Sequence, residues 1–335
     1  MNNRIIFCDI AKCWAIFSVI IYHVARVMHL ELVEVFANTY FLSLFFFISG
    51  LWLSRSLESK FVPLLRKNLL HLLLPFFICM TLYSAFQIIL KGGDIRELFA
   101  YFWSDSKGGG WFLLVLFIFI LVAKCCDSIV KVLKIKSWIV KILLFVLPLM
   151  IVLLLISILP EKIYSLLSLP SFRRYWLLFV AGYFVAGLWG VNIFQRKIIL
   201  FLSTLGYGVC AFYYTLYVRE LHSNVDFVVW LITNVLGCFF YLSFFDYLSR
   251  KLGDTRKLVE IGKNTLGIYL LHYFFFSVYS ILIYPLIQEY LFSYYSYISM
   301  LIISLVIIFL SFWLVKMIRK NSVLSLFLLG INTKK

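Results

Sequence analysis

The sequence predicts an all-α polytopic membrane protein of about ten transmembrane helices with both termini cytoplasmic. Three observations carry this expectation. Of 335 residues, 64% are apolar and 14% charged, against about 45–50% and about 25% in soluble domains, so a polar shell around a globular core cannot be built. Apolar runs of about 20 residues, the length that crosses a hydrocarbon core of about 30 Å, recur along the whole chain. The cations, finally, fall unevenly on alternate sides of those runs.

Taken in order, the first run is 10–28. It is preceded by Arg4 and has no small-residue cleavage site, so it reads as a retained span and not as a cleavable signal. The second, 35–53, and the third, 69–90, flank a loop carrying Arg55, Lys60, Arg66 and Lys67. The fourth (111–124) and sixth (175–190) are short. Between and after them lie 139–159, 197–218, 227–247, 265–285 and 297–317. Long Phe and Leu runs without alternation exclude an outer-membrane barrel. Residues 1–335 read as one integral-membrane domain, with no soluble domain and no internal repeat.

Lys and Arg number 31 and Asp and Glu 15, for a net charge of +16. Twenty-two of the cations lie on one side, from Arg4 through Lys334 and Lys335. Seven lie on the other: Lys91, Arg96, Lys107, Lys162, Arg173, Arg174 and Arg219. The positive-inside rule then places both termini in the cytoplasm. Nine acids lean outward (Glu31, Glu34, Asp94, Glu97, Asp105, Glu161, Glu220, Asp226 and Glu289). Cations divided among separated loops do not form the single basic, aromatic-interleaved surface that nucleic acid requires, so no nucleic-acid partner is expected. The seven cysteines lack metal-ligand spacing, and no metal site is expected; Cys125 and Cys126 are the one adjacent pair.

Lys12 and Arg26 are left inside the first span. On a helix, Asp9, Lys12, His23 and Arg26 share an arc about 100° wide. Asp9 and His23 are about 21 Å apart along the axis, which puts Asp9 near the cytoplasmic surface and His23 in the outer third. Ionisable groups at membrane depth cost at least about 2.5–3.5 kcal/mol and normally face protein, water or substrate, so a polar cavity beside this span is expected. Bland readings stand alongside: Asp9 favours the positive end of the helix, and Lys12 and Arg26 snorkel to the headgroups. His23 is too short to snorkel, and its imidazole offers a donor and an acceptor.

These residues carry a resemblance. Arg4-Ile-Ile-Phe-Cys-Asp9-Ile-Ala-Lys12, continuing to Ile20-Ile-Tyr-His23, resembles the opening signature of the membrane-bound acyltransferase-3 family. Phe45-Phe-Phe-Ile-Ser49-Gly50, Trp111-Phe-Leu-Leu and Gly262-Lys-Asn-Thr265-Leu-Gly-Ile-Tyr-Leu-Leu-His272 are similar to three further blocks of that family, in its order. The resemblance implies transfer of an acyl group, usually acetyl, from a coenzyme A thioester to a hydroxyl of a cell-surface glycan or lipid-linked sugar. Acetyl-CoA would be a substrate, with no permanently bound cofactor, and the enzyme would sit in the cell (inner) membrane among its lipids. The family's essential histidine maps onto His23.

Such a transfer needs a base for the hydroxyl proton, donors for a developing oxyanion and cations for the coenzyme phosphates. His23 is expected as base or as transient acyl carrier, with Arg26 beside it as a catalytic donor. The acyl donor is assigned to Lys12, Ser49, Gly50, Arg66, Lys67 and His71. Ser49 and Gly50 read equally as close-packing residues, and Arg66 and Lys67 as topology charges. The family commonly shows R-x-x-R before its L-L/I-P segment; here the stretch is Asn68-Leu-Leu-His71-Leu-Leu-Leu-Pro75, which leaves His71 as the substitute donor. The acceptor is assigned to Trp111, Arg173 and Arg174, against an interfacial-belt reading for Trp111 and a plain-loop reading for the arginines. Asp9 and His272 are expected in structural or secondary roles. The rival is a multi-pass transporter or flippase of a lipid-linked sugar.

Overall fold

The computed structural model describes residues 5–94, 96, 98, 107–219, 223–288 and 293–331. Arg4, Glu97, Asp105, Glu220, Glu289, Lys334 and Lys335 of the charge count lie outside the described residues. Among the described residues there is no strand, and nine helices are long and apolar enough to cross a membrane: Ile6–Val27, Glu31–Leu51, Phe61–Lys91, Trp111–Val132, Trp138–Ile158, Lys197–Val218, Asn224–Lys251, Thr265–Ile287 and Tyr295–Arg319. The chain is an all-α, multi-pass membrane protein. The remaining expected span, 175–190, is the end of a 20-residue helix, Leu169–Leu188, that starts earlier and takes Arg173 and Arg174 into its first turns.

Local chemistry sets several boundaries. Ser223 and Asp226 form a reciprocal capping box that opens Asn224–Lys251: the Ser223 hydroxyl accepts from the Asp226 amide at 3.1 Å, and the Asp226 carboxylate accepts from the Ser223 amide at 2.8 Å. Phe61–Lys91 ends at Gly92, whose φ of 70° is the left-handed conformation that glycine adopts without a steric penalty. Three of the long helices contain a π turn, at Leu69–Leu73, Tyr214–Val218 and Tyr279–Ile283. The wider turn leaves carbonyls displaced from the regular ladder, and such turns recur at functional sites.

The chain divides into two compact units, Met1–Ile48 with Leu188–Val315 and Ser49–Gly187 with Lys316–Lys335. In the first unit, Ile6–Val27 is the central element. Its Ala11, Ala15, Ile16, Ile20, Val24 and Ala25 are completely buried, and it packs on Asn224–Lys251, Arg256–Lys263 and Thr265–Val278. Hydroxyls join its neighbours inside the apolar core. Ser18 pairs with Tyr40 at 2.9 Å, Thr39 with Tyr207 at 2.8 Å, and Ser43 donates to Asn234. Lipid supplies no water for these groups, so each pair satisfies itself and ties two helices together.

The second unit is built around Phe119, whose ring meets Phe172, Trp176 and Phe179. The Trp176 indole donates to the Phe145 carbonyl at 2.7 Å. Lys124 is buried and reaches the Leu57 carbonyl at 2.6 Å, while Asp127 is held by Lys131, also at 2.6 Å. The short helix Ser322–Leu329 closes on Gly330, which lies against the backbone of His71.

Candidate active site

The first helix carries its ionisable stripe as two separate clusters. Near its start, Lys12 Nζ lies 2.8 Å from Asp9 Oδ1, and Asp9 is buried. Pairing the two charges one turn apart is what makes them tolerable at this depth. Gly262 seats Arg256–Lys263 directly on this turn: a Cβ there would come 1.9 Å from the Asp9 carbonyl oxygen.

Fourteen residues on, His23 stands in an aromatic cage. Its ring centroid lies 5.3 Å from those of Tyr22, Tyr273 and Phe276 and 5.6 Å from that of His272. His23 Nε2 is 3.3 Å from the Tyr273 hydroxyl, which can donate to it or accept from it. His23 keeps partial exposure whereas His272 is completely buried. Arg26, one turn beyond His23, is largely exposed, with its Nε 3.8 Å from Glu34 Oε1, and Tyr22 interacts with both of those side chains. The helix Glu31–Ala37 thereby returns over the end of the first helix, and its other acid, Glu31, is held by Arg219 at 3.1 Å.

His272 is fixed by its own helix. Its Nδ1 is 2.6 Å from the Tyr269 carbonyl and 3.3 Å from that of Ile268. A carbonyl only accepts, so Nδ1 carries the proton and Nε2 is left as a bare acceptor. The centroid of this ring lies 4.0 Å from that of Tyr273, with the two planes tilted by 40°. Neither Tyr273 nor the closeness of His272 to His23 was expected from the sequence; the signal available was the pair His272-Tyr273 at the end of the fourth motif block.

The second unit gathers other expected residues. Trp111 stacks on Tyr175 at 5.5 Å, and Arg173 and Arg174 precede Tyr175 on the same helix, Arg173 exposed and Arg174 half-buried. Lys107, counted only as a topology charge in the sequence, is completely buried here, adopts a φ of 44° and donates to the Ser165 carbonyl at 2.8 Å. A non-glycine residue held in the left-handed region together with a buried ammonium is a costly arrangement. Arg66 and Lys67 are exposed at the end of Phe61–Asn68, and His71 sits on the π turn that follows, bonded to the Gly330 backbone.

Ser49 is half-buried, and Gly50 is filled by backbone: a Cβ there would lie 2.0 Å from the Phe179 carbonyl oxygen. This contact supports the packing reading of Gly50, and an alanine separates the two readings. Packing predicts that Gly50→Ala lowers the melting temperature and yield of detergent-solubilised protein. A donor-clearance role predicts a normally folded protein with a raised KM for the thioester.

Among known proteins, the acyltransferase-3 family model, described as an acyltransferase domain, matches residues 5–328. No curated protein and no solved structure matches the chain.

Proposed function

The chain belongs to the acyltransferase-3 family, and from that premise we propose that it moves an acetyl group from acetyl-CoA to a hydroxyl of a cell-surface glycan or lipid-linked sugar in the cell (inner) membrane. Acyltransferase membership rests on a match over nearly the whole chain. The observation that supports this chemistry is the caged imidazole of His23, whose Nε2 meets the Tyr273 hydroxyl at 3.3 Å. A neutral imidazole there can accept the proton of an incoming hydroxyl while that oxygen attacks the thioester carbonyl. The carbon–sulfur bond breaks, and the thiolate takes up a proton as free coenzyme A. The same nitrogen serves equally if the acyl group is first carried on His23 and then passed to the hydroxyl.

In this reading Arg66, Lys67 and His71 in the second unit are cationic or donor contacts for the coenzyme phosphates, and Lys12 in the first unit is separately assigned to the acyl donor. Trp111 stacked on Tyr175 offers an aromatic face of the kind that sugars pack against, and Arg173 and Arg174, just before Tyr175 in the chain, are assigned to an anionic group of the acceptor. Arg26 orients the His23 end of the helix through Glu34. The test is to incubate inverted membranes with radiolabelled acetyl-CoA and extract glycolipids. Label in a glycolipid supports transfer; uptake of a lipid-linked sugar without label transfer would instead establish the transporter reading.

A further inference from the structure

His272 combines three properties. It is completely buried at the level of the His23 cage. Its tautomer is set by the Nδ1–H bond back to Tyr269. Its Nε2 has no hydrogen-bond partner among the described residues. A buried acceptor left unpaired costs about 1–3 kcal/mol, and an imidazole held only for structure would not need that second nitrogen. Because Nδ1 turns back to the preceding helical turn, Nε2 projects away from its own helix, on a ring 5.6 Å from that of His23 and 4.0 Å from that of Tyr273.

An acceptor lone pair with no donor asks for an O–H or N–H. We propose that His272 Nε2 is the binding contact for the acceptor's hydroxyl, receiving its hydrogen bond and holding its oxygen beside His23. This rests on the acyltransferase reading and adds the group that would recognise the second substrate. A neutral acceptor nitrogen selects a hydroxyl-bearing molecule over a carboxylate or a phosphodiester, neither of which brings a proton at neutral pH. Tyr273, whose ring lies against both histidines, supplies a hydroxyl that can bridge the bound oxygen to His23 Nε2.

Two substitutions separate this from a structural role, because asparagine places its amide near the Nδ1 position and glutamine places its amide near Nε2. His272→Asn keeps the donor to Tyr269 and loses the ligand contact; His272→Gln restores an acceptor at Nε2 and loses the back-bond. Membranes carrying each variant are given radiolabelled acetyl-CoA, and two products are counted: labelled glycolipid and free labelled acetate released to water. His272→Asn is expected to lose glycolipid label about tenfold, the effect of one lost hydrogen bond in the site, while acetate release changes less than about twofold. His272→Gln is expected to keep more glycolipid label than His272→Asn. The reverse order, Asn active and Gln inactive, overturns the proposal whatever the stabilities of the two proteins, as does an equal fall in both products for His272→Asn. If the unsubstituted protein releases neither product, the acyltransferase reading itself fails, which is a different result.

Discussion

Replacing His23 with alanine is expected to lower acyl transfer by about 10²–10⁴-fold, the contribution of a positioned general base. The substitution removes the imidazole whose Nε2 faces Tyr273 and leaves Tyr22, Phe276 and His272 around the gap. His23→Gln is expected to fall by a similar factor: it keeps size and polarity but cannot take a proton. Both proteins should insert in the membrane and elute as the unsubstituted protein does, because His23 retains partial exposure and the helix is held by the buried alanines and branched residues on its other positions. Transfer within about tenfold of normal in either variant would remove His23 from the chemistry. Were the relay route in use, label on the protein after a brief incubation with labelled thioester would be labile to acid and to hydroxylamine, as an acylimidazole is, and would vanish with His23.

The second large effect is expected at Gly262. A Cβ there meets the Asp9 carbonyl oxygen at 1.9 Å, its carbonyl carbon at 2.6 Å and its Cα at 3.1 Å. All three are backbone atoms of the first helix, so they yield only if that helix moves, and with it the Asp9–Lys12 pair and the His23 position. Overpacking of ordinary side chains costs about 1–3 kcal/mol, and a clash with backbone lies at or above the upper end. Against a total stability of about 5–15 kcal/mol, Gly262→Ala should sharply reduce folded protein and transfer together. Gly208→Ala is the matched control: its Cβ meets nothing within 4 Å, and alanine in place of a helical glycine is neutral or mildly stabilising. Equal melting temperatures for the two variants would contradict this close contact.

The sequence made the spans legible because a bilayer demands about 20 apolar residues in a row, and nothing else in a chain produces that pattern so often; ten such runs were expected, and nine helices among the described residues meet the measure. Their ends were less legible. The first helix begins at Ile6 and not at 10 because Asp9 is neutralised by Lys12 within the same turn. Leu169–Leu188 starts before Arg173 and Arg174, which apolar counting had kept outside the sixth span. The π turn at His71 lies against Gly330, a contact across about 260 positions that no local pattern reports.

The same contrast holds at the site. His23 was legible because a short ionisable side chain at membrane depth has few explanations. Its partners were not: Tyr273 is 250 residues away, and Tyr reads as one aromatic among 21 tyrosines in a chain rich in them. Gly50 shows the limit in the other direction. Small residues signal close approach, and the sequence does not say whether a ligand or the Phe179 backbone approaches.

The central claim is that this membrane protein passes an acyl group from a coenzyme A thioester to a hydroxyl at the His23 cage. Its most direct test is the rate at which label from radiolabelled acetyl-CoA enters the glycolipid of membranes containing the unsubstituted protein, beside membranes containing equal amounts of folded His23→Ala. The account predicts ester-linked label, released by mild base, in the first and at least about a hundredfold less in the second. Equal labelling in both, or none in either alongside sugar transport, would contradict it.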